Sequence, residues 1–124
     1  MAYLNDRVFD NGLTVLDTEA NALFICSAAP TTYAQATSTY ALGSATGISV
    51  GAPAASSSPA GRKVTVGAIS DGDVDANGTA THYAVVDTAN SRLLAANQLQ
   101  TSQVVTAGNT FALGAFDIVL PYPA

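Results

Sequence analysis

The 124-residue sequence is 48% hydrophobic and only 10% charged, with a formal net charge of −5. A chain of this length buries about two-thirds of its unfolded surface, and its composition is more apolar and less charged than that of disordered chains. The four basic residues are too few and too scattered to neutralise a phosphate backbone. We therefore expect a single folded domain over residues 1–124, with no nucleic-acid partner.

The N-terminal stretch "MAYLNDRVFD" has acidic residues and Asn where a signal peptide has a positive start and an apolar run. No stretch of the sequence approaches the roughly 18 continuous apolar residues of a membrane span. The sequence thus predicts no membrane partner. Residues 1–12 are poor in core-forming side chains, and we expect them to form an N-terminal arm.

The first predicted elements are two strands, "LTVLD" and "ALFICS", on either side of Thr18–Asn21. This arrangement predicts an early β-hairpin. The second strand contains Cys26, the only cysteine, which has no partner for an internal disulfide. Its place in an apolar run favours a buried, inert thiol over a catalytic one.

One short helix is predicted directly after Pro30, where Thr31 or Thr32 caps the turn "TYAQAT". Its β-branched flanks limit it to about two turns. The following stretch from Gly43 to Gly61 is rich in Ala, Ser and Gly. Because small side chains bury little area, this stretch predicts a long surface loop or a second arm.

The next segments alternate at period two, which is typical of β-strands. "RKVTVGAIS" predicts one strand with Val64, Val66 and Ala68 on one face. "TATHYAVVDT" and "RLLAANQL" are separated by residues 89–91, which predicts a second hairpin.

A third hairpin is predicted where residues 107–109 separate "QVVT" from "TFALGAFDIVL". Gly114 indicates a bulge or bend in this last strand, and Pro121 predicts its end near Leu120. Alternation assigns its apolar residues to two opposite faces: Phe116, Ile118 and Leu120 to one, and Phe111, Leu113 and Ala115 to the other.

Together these elements predict an all-β fold, an antiparallel β-sandwich or a jelly-roll or barrel-like domain with one short helix. Small soluble domains place roughly a quarter to a third of their surface in charged residues, and this chain has far fewer. We expect an association surface to account for the deficit, and hence a homo-oligomer.

The stretch "DGDVDANG" at residues 71–78 holds three of the nine acidic residues. Asp73, Asp75, Asn77 and Gly78 match the first half of an EF-hand loop. The twelfth position, which supplies a bidentate Glu in that motif, is Ala84 in a predicted strand. A plain turn is therefore favoured over a cation site, with weak calcium binding as the alternative. No metal or cofactor site is predicted.

The chain offers little for catalysis. His82, the only histidine, falls in a predicted strand, which favours a packing role, and Glu19 is the only glutamate. The serine-rich stretch "SSSPAG" has no Gly-x-Ser-x-Gly elbow, and the sequence contains no Walker loop or dinucleotide fingerprint. We predict no catalytic residue and no enzyme activity. The five tyrosines fit an interface and an ordinary core rim equally well.

Two stretches of the sequence resemble small structural proteins of tailed bacteriophages. They are "YLNDRVFDNGLTVLDTEANALFICSAAPTTYAQATSTYALG" near the start and "ATHYAVVDTANSRLLAANQLQTSQVVTAGNTFALGAFDIVLP" near the end. They cover about two-thirds of the chain and contain no catalytic signature. Some proteins of this kind are head decoration or cement proteins, β-folds that sit as oligomers over junctions between major capsid subunits.

The resemblance implies a capsid decoration protein that is made in the host cytoplasm and lies on the outer surface of the virion. It implies the major capsid protein as partner and a homo-oligomeric state, with one of the two arms reaching a neighbour. The first alternative is a tail-tip or fibre module that binds a host surface glycan. A small hydrolase that uses His82 is the remaining alternative.

Overall fold

The computed structural model describes residues 3–4, 13–57 and 60–121. It confirms the predicted all-β fold, with antiparallel pairing between neighbouring strands. In chain order the elements are β1 (Tyr3–Leu4), α1 (Thr14–Glu19), β2 (Ala22–Cys26), a π-helix (Gln35–Thr39), β3 (Ala41–Thr46), β4 (Ala54–Ser57), β5 (Ala60–Val66), β6 (Ile69–Val74), β7 (Gly78–Asp87), β8 (Arg92–Val105), β9 (Thr110–Leu113) and β10 (Phe116–Pro121).

The strands form two sheets that share one core. The larger sheet has the strand order β1-β8-β7-β2-β3-β6-β9, and the smaller has the order β10-β5-β4. Buried side chains of both sheets and of α1 form a single cluster, whose largest fully buried members include Leu16, Leu23, Ile25, Val64, Val66, Val85 and Leu94. The smaller sheet therefore packs on one face of the larger one, as in a β-sandwich.

A bent two-stranded ribbon joins the two sheets at one corner. β5 pairs with β10 through Val66↔Phe116, and β6 pairs with β9 through Ile69↔Leu113. Residues 67–68 and residues 114–115 interrupt the two paired segments. The pairing register is the same on both sides of this interruption. Strands that switch sheets at such bends make the corners of orthogonally packed sandwiches. The bend predicted at Gly114 is confirmed.

This corner corrects two predictions from strict alternation. Ala68 is exposed and lies in the break, so it does not share the buried face of Val64 and Val66. In the last strand, the apolar residues on both sides of Gly114 contact the same core. Because the chain changes sheets there, the two sets assigned to opposite faces both point inward: Phe111 and Leu113 from β9, and Phe116, Ile118 and Leu120 from β10. β10 ends at Pro121, close to the predicted position.

The hairpin predicted around residues 107–109 is wrong, because β9 pairs with β6 and not with β8. Residues 106–109 do form a turn, in which Gly108 has a φ of 88°. The N–H of Gly108 donates to Val74 O at 2.9 Å, and the N–H of Val74 donates to Asn109 O at 3.0 Å. These bonds attach the turn to the end of β6. The chain therefore leaves β8 at this turn and continues as β9, which pairs with β6.

The early hairpin is also wrong, because residues 14–19 form the helix α1. Thr18 Oγ1 donates to the carbonyl of Thr14 one turn earlier, at 2.9 Å. Val15 and Leu16 are buried in the main core, so tertiary packing overrides their modest helix propensity. The hairpin between β7 and β8 is confirmed. The carboxylate of the buried Asp87 accepts hydrogen bonds from residues 89 and 90 and organises its turn.

The prediction of a long loop over residues 43–61 is wrong. Residues 43–46 belong to β3, between β2 and β6, and residues 54–57 form β4, which pairs with β5. Small side chains serve close strand packing here, since a Cβ on Gly43 would lie 2.3 Å from Asp73 O. The predicted N-terminal arm, residues 1–12, lies outside the described residues except for β1, which pairs with β8.

The short helix after Pro30 is confirmed and covers the outer face of the larger sheet. Thr32 Oγ1 accepts a hydrogen bond from the N–H of Gln35 at 3.1 Å, as expected of an N-terminal cap. Ala36 of this segment belongs to a second buried cluster, which also contains Cys26 of β2. Within residues 3–4, 13–57 and 60–121, no helix is long and apolar enough to span a bilayer.

Candidate functional site

A groove lies between β8 and the corner that joins β9 to β10. Its volume is about 690 Å³. Residues 97–101 and 103 of β8 form one wall, and residues 112–117 form the other. Thr65 and Tyr83 complete the lining. We call this cavity the corner groove.

The corner groove exists because β8 is irregular there and has no pairing with β9. Ala80 of β7 pairs with Gln103, whereas His82 pairs with Gln98. Four residues of β8, 99–102, therefore lie opposite the single residue Thr81. A bulge of this size bends the strand and redirects its side chains, which is common beside binding sites.

Aromatic and aliphatic side chains line the inner part of the corner groove. Tyr83 is only 8% exposed, and its ring centroid lies 4.4 Å from that of Phe116 at an interplanar angle of 48°. Leu99 and Leu113 are half-buried beside them. Burial raises the pKa of Tyr83 to about 12, so the phenol stays protonated at neutral pH. Its hydroxyl makes no hydrogen bond to another described residue.

Side-chain amides line the wall that β8 contributes. Asn97, Gln98, Gln100 and Gln103 are all exposed along seven residues of one strand. Asn97 Oδ1 accepts a hydrogen bond from the backbone N–H of Gln98 at 2.8 Å. An amide group both donates and accepts hydrogen bonds, so this wall offers both functions without a net charge.

Asp117 is the one ionisable group of the opposite wall. Thr65 Oγ1 donates to its Oδ1 at 2.7 Å, and Lys63 Nζ lies 3.1 Å from its Oδ2. The hydrogen bond from Thr65, followed by that from Lys63, lowers the pKa of Asp117 below its usual value. The carboxylate is therefore ionised and held in place, and Lys63 offsets its charge.

The structure places His82 away from the corner groove. Its Nδ1 lies 2.8 Å from Thr81 Oγ1, which donates to Ser27 O at 3.0 Å. Since a hydroxyl has one hydrogen, Nδ1 is the donor to Thr81, and Nε2 is the unprotonated nitrogen of the neutral ring. Partial burial lowers the pKa of His82, which favours that neutral form. His82 is not among the residues that line the groove.

Cys26 is buried, as predicted, and its Sγ donates to Ala36 O at 3.6 Å. Burial raises the pKa of the thiol to about 12. Because the thiolate is the nucleophile and metal ligand, this cysteine is poorly suited to either role at neutral pH. It packs with Ala22, Ala84 and Val86 on the outer face of the larger sheet.

The acidic stretch 71–78 is a strand and a short turn. Asp71 and Asp73 belong to β6, and only residues 75–77 connect β6 to β7. Asn77 Oδ1 accepts a hydrogen bond from the N–H of Ala107 at 2.8 Å, which joins this turn to the turn after β8. In the part of the chain that the structure describes, no three His, Cys, Asp or Glu side chains are placed to hold a metal ion.

The tyrosines divide between the two clusters of the fold. Tyr83 belongs to the main core, and Tyr33 and Tyr40 pack half-buried on the outer cluster. The side chains of Tyr3 and Tyr122 lie outside the described residues. Of the described tyrosines, only Tyr83 lines the corner groove.

Sequence reasoning identified none of the groove residues as a site. The available signal was the run "NQLQTSQ", residues 97–103, which is polar and uncharged and directly follows the apolar run "LLAA". The opposite wall could not be predicted, because the bend at Gly114 was expected within a single strand and the change of sheet was not.

Comparison of this chain with family models, curated proteins and solved structures gave no match. The resemblance to phage structural proteins therefore stays a prediction.

Proposed function

We propose that this chain is a phage virion structural protein, a decoration protein that binds the major capsid protein and stabilises the assembled head. The observation that supports the proposal is the uncharged edge of the smaller sheet, residues 47–57, which we call the edge segment. It comprises the connection after β3 and the strand β4. Most of its residues are exposed, and none is charged.

β4 is suited to pair with another chain. It pairs with β5 on one side and has no second partner strand among the described residues. Natural proteins usually protect such edges with charged side chains, prolines or bulges. In β4 the exposed positions Ala54, Ala55 and Ser57 provide no charge. An extended segment of a capsid subunit can therefore add to this edge by backbone hydrogen bonding.

A protein that binds only the assembled shell stabilises it by mass action, by about 2.7 kcal/mol per site at a free concentration 100 times the Kd. Many copies around the symmetry axes convert modest contacts into a large total effect. The predicted homo-oligomer would increase this effect further by presenting several edge segments together.

The test is co-sedimentation of the purified protein with heads of the tailed phage that encodes it, prepared without the protein. Ala55→Lys adds a charge to the edge segment, and Ser70→Lys adds the same charge to an exposed position of β6, a strand paired on both sides. We expect at least tenfold weaker binding for Ala55→Lys and unchanged binding for Ser70→Lys. Urea denaturation checks that both variants fold.

The proposal fails if the wild-type protein does not sediment with heads. Equal binding of Ala55→Lys and wild type would reject the edge segment as the contact surface.

A tail-tip or fibre module that binds a host surface glycan is the second candidate. The observation in its favour is the corner groove, an open cavity with an aromatic floor. A protein of this kind would be found in purified tails and not in purified heads, which antibody labelling of virions distinguishes.

A further inference from the structure

We propose that the corner groove is a binding site for a neutral saccharide. The groove combines uncharged hydrogen-bonding side chains on one wall with an aromatic and aliphatic floor. It is separate from the edge segment, and the inference holds whether or not the protein binds capsids.

The polar groups of the groove match the hydroxyl groups of a sugar. Each sugar hydroxyl donates one hydrogen bond and accepts others, and side-chain amides and hydroxyls do both as well. Asn97 Oδ1 is already bonded to the backbone of Gln98, so its Nδ2 group is the donor that remains. Gln100 and Gln103 add two further exposed amides on the same strand.

The hydroxyl of Tyr83 adds a further hydrogen-bonding group to the groove. The side chain is 8% exposed and lines the groove, yet its hydroxyl bonds to no other described residue. The hydroxyl is not among the buried polar atoms that lack a partner, so it is accessible from the groove. A ligand hydroxyl can therefore exchange hydrogen bonds with it.

The charge of the groove favours an uncharged ligand. Asp117 is the only ionic side chain in its lining, and Lys63 lies 3.1 Å from its carboxylate. An anionic ligand would be repelled by Asp117, and a cationic one would have to compete with Lys63. Oδ1 and Oδ2 still have acceptor capacity for neutral donors, because each carboxylate oxygen accepts more than one hydrogen bond.

The floor provides a surface for the apolar C–H face of a sugar ring. Phe116 is half-buried and packs against Tyr83 with the two rings tilted by 48°, which restricts the orientation of its ring. Leu99 and Leu113 add to the apolar lining of the groove. The volume of about 690 Å³ lies within the usual range of small-ligand sites, about 300–1,000 Å³.

The β8 wall is less suited to an extended peptide. Strand addition needs a regular row of available backbone N–H and C=O groups. Residues 99–102 form a bulge, and the N–H of Gln98 is already bonded to the side chain of Asn97. Both features interrupt the row, whereas they leave the side-chain amides available.

The first experiment screens the purified protein on an array of neutral and anionic glycans, followed by NMR titration with the best neutral trisaccharide. We expect saturable binding, with chemical-shift changes concentrated at residues 97–103 and 112–117. An uncharged octapeptide of alternating Thr and Ala serves as the extended-chain probe and is expected not to bind.

Three variants locate the site. Tyr83→Phe removes only the hydroxyl, and we expect its affinity to fall by roughly three- to tenfold, as for the loss of one hydrogen bond. Gln100→Ala, an exposed amide of the groove, should weaken binding similarly. Asn109→Ala is the matched control, because Asn109 is an exposed amide outside the groove, and its affinity should equal that of wild type.

Several outcomes would overturn the inference. They are binding to no neutral glycan, equal or tighter binding of anionic glycans, and shift changes outside the groove. Binding of the octapeptide at residues 97–103 would identify the groove as a peptide site instead. Equal losses in Asn109→Ala and Gln100→Ala would also contradict it.

Discussion

The two halves of β8 differ in almost every property, although they belong to one continuous strand. Leu93, Leu94, Ala95 and Ala96 in the first half are all at most 3% exposed. This half pairs with β7 on one side, and its residues 95–96 pair with β1 on the other. In the second half, from Asn97 to Val104, the side chains are exposed except for the half-buried Leu99.

The difference shows how a single strand can serve both the fold and a binding site. The first half is covered on both faces, so its residues are apolar and two of them are small. The second half extends past the covered region and has an irregular pairing with β7, and most of its side chains are polar and uncharged; the exceptions are Leu99 and the exposed Val104. Substitutions in the first half should therefore change stability, and those in the second half should change binding.

Leu94→Ala should have the largest effect. Leu94 is fully buried in the main core, and its truncation should lower the free energy of unfolding by about 2–5 kcal/mol. Gln98→Ala, four residues later and exposed, should change it by no more than about 0.5 kcal/mol. Urea denaturation of both variants measures the difference. Similar losses in the two variants would mean that the halves do not differ in the way described.

Tyr83→Phe should have an intermediate effect, confined to alkaline pH. Tyr83 lies opposite Asn97, where the two halves meet. Its pKa is raised from 10.0 to about 12 in the folded protein, so the unfolded chain loses this proton first. The contribution to stability is complete below pH 10 and is lost as the pH rises through 12, by about 2–3 kcal/mol in total.

In Tyr83→Phe, the free energy of unfolding should accordingly fall less between pH 10 and pH 12 than in wild type. Denaturation at pH 8, 10 and 11.5 measures the slope, and tyrosinate absorbance reports the ionisation directly. Identical slopes in the two proteins would show that the hydroxyl is not protected from ionisation.

Asp117→Asn should have the smallest effect, on the acid side. Asp117 faces β8 across the groove, and its pKa is lowered in the folded protein. Its contribution to stability is present above the unfolded value of 3.8 and is lost as the pH falls through the folded value. The carboxylate is exposed, so salt should weaken the effect.

Stability curves from pH 7 to pH 2.5 should therefore be slightly flatter for Asp117→Asn than for wild type. Thr65→Val removes the donor with the largest influence on this pKa and preserves the side-chain shape, so it should flatten the curve as well. A steeper curve in either variant would contradict the assignment.

Much of the fold follows from local sequence patterns. Alternation in "THYAVV" agrees with the structure, in which Tyr83 and Val85 lie in the main core and Ala84 and Val86 in the outer cluster. The turn residues 89–91 and the cap at Thr32 also gave correct local predictions, because hydrogen bonds within a few residues determine both.

The features of the fold that local patterns did not predict depend on contacts between residues far apart in the sequence. The stretch from Gly43 to Gly61 appeared too poor in large side chains for strands, yet Gly43 is needed where β3 approaches β6 closely. "LTVLD" has strand-like residues, but burial of Val15 and Leu16 against the sheet stabilises a helix. The corner groove depends on the bulge in β8 and the change of sheet at Gly114, and neither has a reliable pattern in a single sequence.

The pairing of β2 with β7 has a kinetic consequence. Ala22 of β2 pairs with Val86 of β7. The centre of the larger sheet therefore forms only after two segments separated by more than half of the chain length have met. Chains dominated by such distant pairings fold in milliseconds to seconds, far more slowly than helical bundles. During that interval the nascent polypeptide, with its few ionic groups, has little electrostatic repulsion to keep it from self-association, so low temperature and slow synthesis should improve its recovery.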